Sequence, residues 1–460
     1  MDAIQEAIRG VPEYSEFKTL DELNESTVKL AEENPDIVEL IEAGYSRDGR
    51  KILALKIGEG SNVALLFGCP HPNEPVGTLM LEYLSKCLVD SESLREELDF
   101  TWLIVKVSDP DGLKLNEGWL KGPFTILNYA RNYYRPAGDR QVEWTFPIKY
   151  KTLEFNSPLP ETRALMRLME EWKPDFIYSL HNAGFGGVYY YISERASLLY
   201  PIYHKIAEDE KLPLSLGEPE VPWAVELAPA IYYMVSTPEY YEYLEKYCEK
   251  DPAEVIRTGT DSYDYARRFN PQVLELVTEV PYFYNARIED QSPTDVSRRK
   301  AVLDSIRESW SHYNYIRGIY NRVKGELKLN TRFRESIEYY LTVTPDILKT
   351  KERWARVDPK LDRPATVAEV FDNYQVSRFY RLLVIGLLYR MLKEETAISR
   401  SSLVRDAYER VARKLEEYGE KLDSELEYRV IPLRKLVKVQ LAAGLYTALY
   451  VQVKNTFKCR

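Results

Sequence analysis

The sequence predicts an α/β domain over residues 1–325 followed by an α-helical domain over 326–460. Two observations carry this. Up to about residue 325, short apolar runs alternate with stretches whose apolar residues recur at helical spacing, the mark of a sheet flanked by helices. From Ser297 onward nearly every window is helical. No internal repeat or low-complexity tract interrupts either part.

Taken in order, residues 18–43 read as helical, with an acidic helix over 21–34. Residues 52–57 (ILALKI) and 63–67 (VALLF) read as strands, and the GEGSN between them is a hairpin-like signal. Residues 76–88 place Leu79, Met80, Tyr83, Leu84 and Leu88 at helical spacing. Residues 100–107 (FTWLIVKV) read as a strand that ends at the turn Asp109-Pro-Asp-Gly. Residues 113–160 show little periodicity and many Gly, Pro, Asn and basic residues; long irregular segments in compact domains are often functional. Residues 161–172 form a helix, and 175–180 (DFIYSL) a strand that ends at His181. A mixed, acidic stretch over 200–258 precedes the strand 273–278 (VLELVT), which ends at Glu279. Near the C-terminus, residues 441–453 (LAAGLYTALYVQV) read as a packed helix rather than a membrane span.

The bulk numbers narrow the class. Of 460 residues, 45% are hydrophobic and 29% charged, which describes a soluble globular chain with a large core. The net charge of −10 argues against nonspecific nucleic-acid binding. The longest apolar run, 382–389 (LLVIGLLY), is too short to span a membrane. The opening MDAIQEAIRG has neither the basic start nor the apolar core of a signal peptide. Cys69, Cys87, Cys248 and Cys459 form no CxxC. A cytoplasmic protein is the expectation, without nucleic-acid or membrane partners.

Three strand ends carry polar groups of one kind. The stretch GCPHPNEPVGT gives His71 and Glu74 on a proline-stiffened loop, the strand DFIYSL ends at His181, and VLELVT ends at Glu279. Sites in open α/β sheets gather at the carboxyl ends of strands. Two imidazoles and a carboxylate with an open fourth position make a catalytic zinc site, which lowers the pKa of water toward neutrality. A further carboxylate must then move the proton, and Glu279 is the candidate. Glu275 lies on the same face four residues earlier and competes for that role. His204 and His312, the other two histidines, read as structural. Cys69 follows a buried strand and reads as a small packed hydrophobe.

The order of these pieces resembles the zinc metallocarboxypeptidases of the carboxypeptidase A type, over about residues 15–325. The segment Glu42-Ala-Gly-Tyr-Ser-Arg-Asp-Gly-Arg-Lys-Ile is similar to the family's G-x-S-x-x-G-R-x-I. His71-Pro-Asn-Glu74 matches HxxE, Asp109-Pro-Asp-Gly resembles N-P-D-G with Asp for Asn, and Pro160-Glu-Thr-Arg is similar to a helix start. Leu180-His181 matches the third-ligand segment and Thr278-Glu279-Val-Pro the catalytic one. The resemblance implies a mixed eight-stranded sheet and one zinc per chain. It also implies hydrolysis of a peptide bond near a C-terminus by water, promoted by Glu279.

Where the family reads a terminal carboxylate with an Asn-Arg pair, alignment on Phe146-Pro147 puts Glu143 and Trp144. Glutamate cannot fork onto a carboxylate as arginine does. Upstream, Arg131, Asn132 and Arg135 in YARNYYRPAG offer a carboxylate binder or an oxyanion-stabilising Arg, and Lys121 is a lesser candidate. Near Gly259-Thr-Asp-Ser-Tyr-Asp-Tyr265, similar to a pocket-lining stretch of the family, Tyr263 and Tyr265 are candidate pocket residues. Glycines in Asn182–Gly187 would let a substrate backbone approach. Two substrate readings stay open: a carboxypeptidase, or an amidase or deacylase on a small N-acyl or modified amino acid. A non-catalytic binding protein is a third, disfavoured because both imidazoles and both carboxylates are present. The helical domain is expected to pack on the first, narrow its mouth or make a homo-oligomer.

Overall fold

The computed structural model describes residues 2–458, so Cys459 lies outside the described residues. Nine strands form one mixed sheet. They are β1 (Val38–Tyr45), β2 (Lys51–Ile57), β3 (Asn62–Gly68), β4 (Phe100–Val105), β5 (Phe176–His181), β6 (Tyr189–Ile192), β7 (Glu226–Ala228), β8 (Ile231–Tyr233) and β9 (Leu274–Glu279). Their order is β1-β2-β4-β3-β5-β9-β6-β8-β7. The four central strands β4, β3, β5 and β9 run parallel, and their residues are almost all buried, as strands covered on both faces must be.

The helices used below are α1 (Leu20–Glu33), α2 (Val76–Asp90), α3 (Pro110–Leu120), α4 (Ile126–Asn132), α5 (Pro160–Trp172), α6 (Arg298–Val323), α7 (Arg332–Val357), α8 (Ser377–Ile398), α9 (Ser402–Glu425) and α10 (Leu433–Lys458). One face of the sheet packs with α2 and α10 in a cluster that includes Leu66, Tyr178, Leu180 and Leu436. The other packs with α5 in a cluster that includes Leu65, Phe67, Ile177 and Leu165.

Four expectations need correction. The helix expected over 18–43 stops at Glu33, ahead of Pro35, and residues 38–45 are instead the edge strand β1. The GEGSN link is not a hairpin: β4 lies between β2 and β3, with β2 pairing antiparallel and β3 parallel to it. Asp109 does not close a turn but caps α3, its Oδ1 accepting the Gly112 N–H at 2.9 Å, with Pro110 at the first helical position. The sheet has nine strands rather than eight, two of them three-residue pieces around residue 230.

The helices after residue 326 do not stand apart from the sheet. Along α10, the stretch Leu433–Phe457 is long and apolar enough by composition to cross a membrane, and 67% of its most apolar 18 residues are buried inside this fold. It is a core helix laid on β5 and β9: the Tyr178 hydroxyl donates to the Gln440 carbonyl at 2.8 Å. Helix α8 meets α4 so closely that a Cβ on Gly386 would lie 2.0 Å from the Ala130 carbonyl oxygen. The single apolar cluster that holds Leu66 and Tyr178 also holds Leu388, Leu415 and Leu436.

Candidate metal centre

The chain leaves β3 for β4 on one side and later returns to β5 on the other. The ends of β3 and β5 therefore open a crevice at the point where the winding reverses. His71 and Glu74 follow β3, and His181 ends β5. Glu279 ends β9, in register with His181 on one side and Tyr189 on the other.

Local backbone explains the first loop. Cys69 takes a left-handed φ of 53°, uncommon without glycine and frequent at functional sites. Prolines 70, 72 and 75 then fix the path, and the Glu74 N–H bonds the His71 carbonyl at 3.0 Å, closing a single turn. That turn brings both side chains to one side. Burial pushes the Cys69 thiol well up, so it stays a packed neutral group.

Three atoms converge. His71 Nδ1 lies 3.1 Å from Glu74 Oε2, His181 Nδ1 lies 3.0 Å from the same oxygen, and the two Nδ1 atoms are 3.1 Å apart. Tetrahedral zinc with ligands at about 2.0–2.1 Å would hold them about 3.4 Å apart, so the donor set fits this metal with a small expansion. All three side chains are buried. Burial, aided by the Arg135 guanidinium, brings His71 down to about 3, which leaves its imidazole neutral and its lone pair free for a metal. Burial opposes ionisation of Glu74, but the Arg135 guanidinium and the hydrogen bonds at its oxygens outweigh it and hold the carboxyl well below the usual range. Arg135 Nη1 donates to Glu74 Oε1 at 2.7 Å, leaving Oε2 turned to the histidines.

Glu279 is buried, and its Oε2 has no hydrogen-bond partner among the described residues. Burial, then the Glu74 and Glu220 carboxylates, push its carboxyl well up, with Arg135 opposing. Such a group is poised to take a proton rather than shed one.

The other candidates divide. Arg135 reaches the centre, and Arg131 does not: it sits about two-fifths exposed and pairs with Glu416 on α9. Asn132 also faces away, its amide donating to Asn128 at 3.0 Å, because both residues end α4 on the side covered by α8 and α9. Lys121 pairs with Glu16 and Glu22 at the surface. Trp144 is half-buried on a one-turn helix, and its carbonyl accepts the Gly259 N–H at 2.8 Å. Tyr265 packs on Phe146 and donates to Glu170 at 2.5 Å, within the α5-side core rather than a pocket. Glu143 is buried behind His181, its Oε2 accepting from Ser179 Oγ at 3.1 Å and its Oε1 from Ser262 Oγ at 2.9 Å. Glu275, the rival base, is four residues deeper on β9 and bonds Ser262 at 2.7 Å, out of reach of the ligands.

Three of the motifs meet elsewhere. Asp111 accepts from Ser46 Oγ at 2.7 Å, from Arg50 at 2.6 Å and from Arg332 of α7 at 2.9 Å, while Arg47 pairs with Glu161 at 3.3 Å. This buried ionic knot ties the YSRDGR, DPDG and PET segments together, so their work is structural.

Sequence reasoning missed three residues at the centre. Asn182 donates its backbone N–H to Glu74 Oε2 at 3.3 Å and accepts the Val76 N–H on Oδ1 at 3.0 Å, fastening α2 to the ligand strand. Gln440 of α10 donates to the His181 carbonyl at 2.8 Å. Ser179 Oγ lies 2.8 Å from His181 Nε2. Only Ser179 carried a signal: it stands two residues before His181, hence on the same face of a strand.

Comparison with known proteins agrees with the donor set. The zinc carboxypeptidase family pattern matches residues 23–213. Zinc carboxypeptidase A 1 of Anopheles gambiae is 28% identical over 130 residues, which cover 25% of this chain and 30% of that protein. The chain thus spans under a third of that relative in the match. Among solved structures, the carboxypeptidase A of Helicoverpa armigera covers 62% of this chain and 71% of its own, at 16% identity and a TM-score of 0.40. A metallo-carboxypeptidase of Burkholderia cenocepacia covers 58% and 60%, at 17% identity and a TM-score of 0.32. The resemblance to zinc carboxypeptidases holds over residues 23–213, the segment that carries His71, Glu74 and His181.

Proposed function

We propose that this chain is a zinc-dependent hydrolase that cleaves a peptide bond near the C-terminus of a peptide. The convergence of three buried donor atoms within 3.1 Å, with Glu279 on the neighbouring strand end, carries this conclusion. His71, Glu74 and His181 would hold zinc, which would supply a Lewis acid for the carbonyl oxygen and make water a stronger acid. Glu279 takes the proton from water and delivers it to the leaving amine. Arg135 stands over Glu74 within the field of Glu279, where a guanidinium stabilises charge that builds on the carbonyl oxygen.

A cavity of about 510 Å³ gives the substrate room. Its lining holds none of the three ligands but includes Ala183, two residues after His181, and Tyr189, the register partner of Glu279, together with Tyr340 of α7 and Tyr380 of α8. Its size suits a residue or two rather than a folded chain. We place the protein in the cytoplasm, since Cys69, Cys87 and Cys248 form no disulfide among the described residues, which suits a reducing compartment.

A second substrate class is favoured by one feature. Glu143 stands where a carboxylate reader was expected, and Arg131, the first candidate to replace it, is held by Glu416. An amidase or deacylase acting on a small N-acyl compound needs no such reader.

Elemental analysis of the purified protein comes first, beside Glu74→Ala. About one zinc per chain, lost in the variant, is expected; no zinc in protein offered the metal would end the hydrolase proposal. A panel of peptides with free and amidated C-termini then separates the two substrate classes: cleavage of the free peptides alone supports the carboxypeptidase.

A further inference from the structure

His181 is held on both of its ring nitrogens, whereas His71 is held on one. His181 Nδ1 faces Glu74 and His71, so this is the metal-facing atom, and a neutral ring must then carry its proton on Nε2. Nε2 lies 2.8 Å from Ser179 Oγ, and Ser179 Oγ lies 3.1 Å from Glu143 Oε2. With a metal on Nδ1 the line has one direction: His181 Nε2–H donates to Ser179, whose own hydroxyl proton donates to Glu143. Glu143 is fixed in turn by Ser262 at 2.9 Å. Ser179 is fully buried and Glu143 nearly so, and no water need be invoked to complete the line. By contrast, His71 Nε2 is buried without a partner among the described residues.

We propose that Ser179 and Glu143 are positioning residues that hold His181 in the Nε2–H tautomer, with Nδ1 presented to the metal before any metal arrives. This rests on the assignment of His71, Glu74 and His181 as zinc ligands. It gives Glu143 a role that the sequence did not suggest: it does not read substrate but orients a ligand through an intervening hydroxyl. Partners of this kind fix a histidine's tautomer and ring angle, and losing one costs about 10–100-fold in metal affinity. The same line explains why an arginine would not serve in place of Glu143. A guanidinium offers only donors, so Ser179 would lose its acceptor and turn its proton toward His181 Nε2.

The test uses the full chain labelled with nitrogen-15 on histidine. Only four histidines are present, so the ring resonances are separable. In the metal-free wild type, His181 should already be the Nε2–H tautomer. Ser179→Ala and Glu143→Leu should shift its ring nitrogens toward a mixture of tautomers while leaving those of His204 and His312 in place. Zinc affinity, measured by competition with a chelator, should fall about 10–100-fold in both. Glu143→Gln keeps an oxygen acceptor and should restore most of the affinity, which separates loss of the acceptor from loss of packing. An unchanged His181 signal and unchanged zinc affinity in Ser179→Ala would overturn the proposal. Should the wild type bind no zinc at all, the hydrolase assignment fails, and the metal-free tautomer still decides the positioning role.

Discussion

Asp109→Asn should stabilise this protein, and more so as pH rises. Asp109 is fully buried, its Oδ2 has no hydrogen-bond partner among the described residues, and its Oδ1 caps α3 through Gly112. Burial pushes its carboxyl up to about 7; Arg47 and the Gly112 N–H oppose this and Glu161 adds to it. The unfolded chain ionises near 3.8. Between these values the folded state holds the extra proton, so stability falls as pH rises from about 4 to about 7, then levels off. Each pH unit in that window is worth about 1.4 kcal/mol. From pH 5.5 to pH 8 the wild type therefore loses about 2 kcal/mol that an asparagine, which cannot ionise, does not lose. Asparagine keeps the Oδ1 acceptor for Gly112, so the cap survives. The assay is urea unfolding of both proteins at pH 5.5 and pH 8. The variant's advantage should grow by about 2 kcal/mol between the two. An advantage that does not change with pH would show that Asp109 is ionised throughout, and that Arg47 outweighs burial.

Other outcomes follow from single contacts. Glu279→Gln should keep one zinc per chain while losing hydrolysis, by assay of metal content and rate on the same sample. Arg131→Ala should leave zinc content and rate near wild type, because Arg131 is bound to Glu416, whereas Arg135→Ala should lower the rate about 10²–10³-fold. Gln440→Leu removes the donor to the His181 carbonyl and should cost about 1–2 kcal/mol in urea unfolding. Gly386→Ala forces α8 away from α4 and should lower the melting temperature by several degrees.

The metal loop was legible because its chemistry is local. His71 and Glu74 are three residues apart between prolines at a strand end, and one turn suffices to bring them together. His181 and Glu279 were legible from strand ends alone, since parallel neighbours deliver their last residues to one edge. Glu143 was misplaced because aligning Phe146-Pro147 fixes a position along the chain but not the direction of a side chain. The one-turn helix Val142–Trp144 turns Glu143 inward toward Ser179. β1 was mistaken for helix because VELIEAGY places apolar residues at 38, 40 and 41, a spacing that both periods tolerate. β6 (YYYI) has no alternation because both its faces are buried. It also shows one use of the abundant tyrosine: Tyr189 and Tyr191 both donate to Glu220.

The boundary at residue 325 is where sequence periodicity and folding part company, and a shortened chain tests this. From Ser297 onward the periodicity is helical because α10, like its neighbours, is amphipathic or wholly apolar, and periodicity does not report what a helix packs on. In the fold, α10 covers the face of the sheet that carries Tyr178 and Leu180. Leu436, Val437, Leu441, Leu445 and Val451 of α10 are all fully or almost fully buried. At about 2 kcal/mol for each such side chain, they contribute about 10 kcal/mol of burial, as much as the whole net stability of many domains. The same helix holds the His181 carbonyl through Gln440, and Ser336 of α7 holds the Arg135 carbonyl at 2.9 Å. A chain ending at residue 325 should therefore lack a cooperative unfolding transition and bind no zinc at stoichiometric levels. A cooperative melt with one zinc retained would show that residues 1–325 fold alone and that α10 is an accessory.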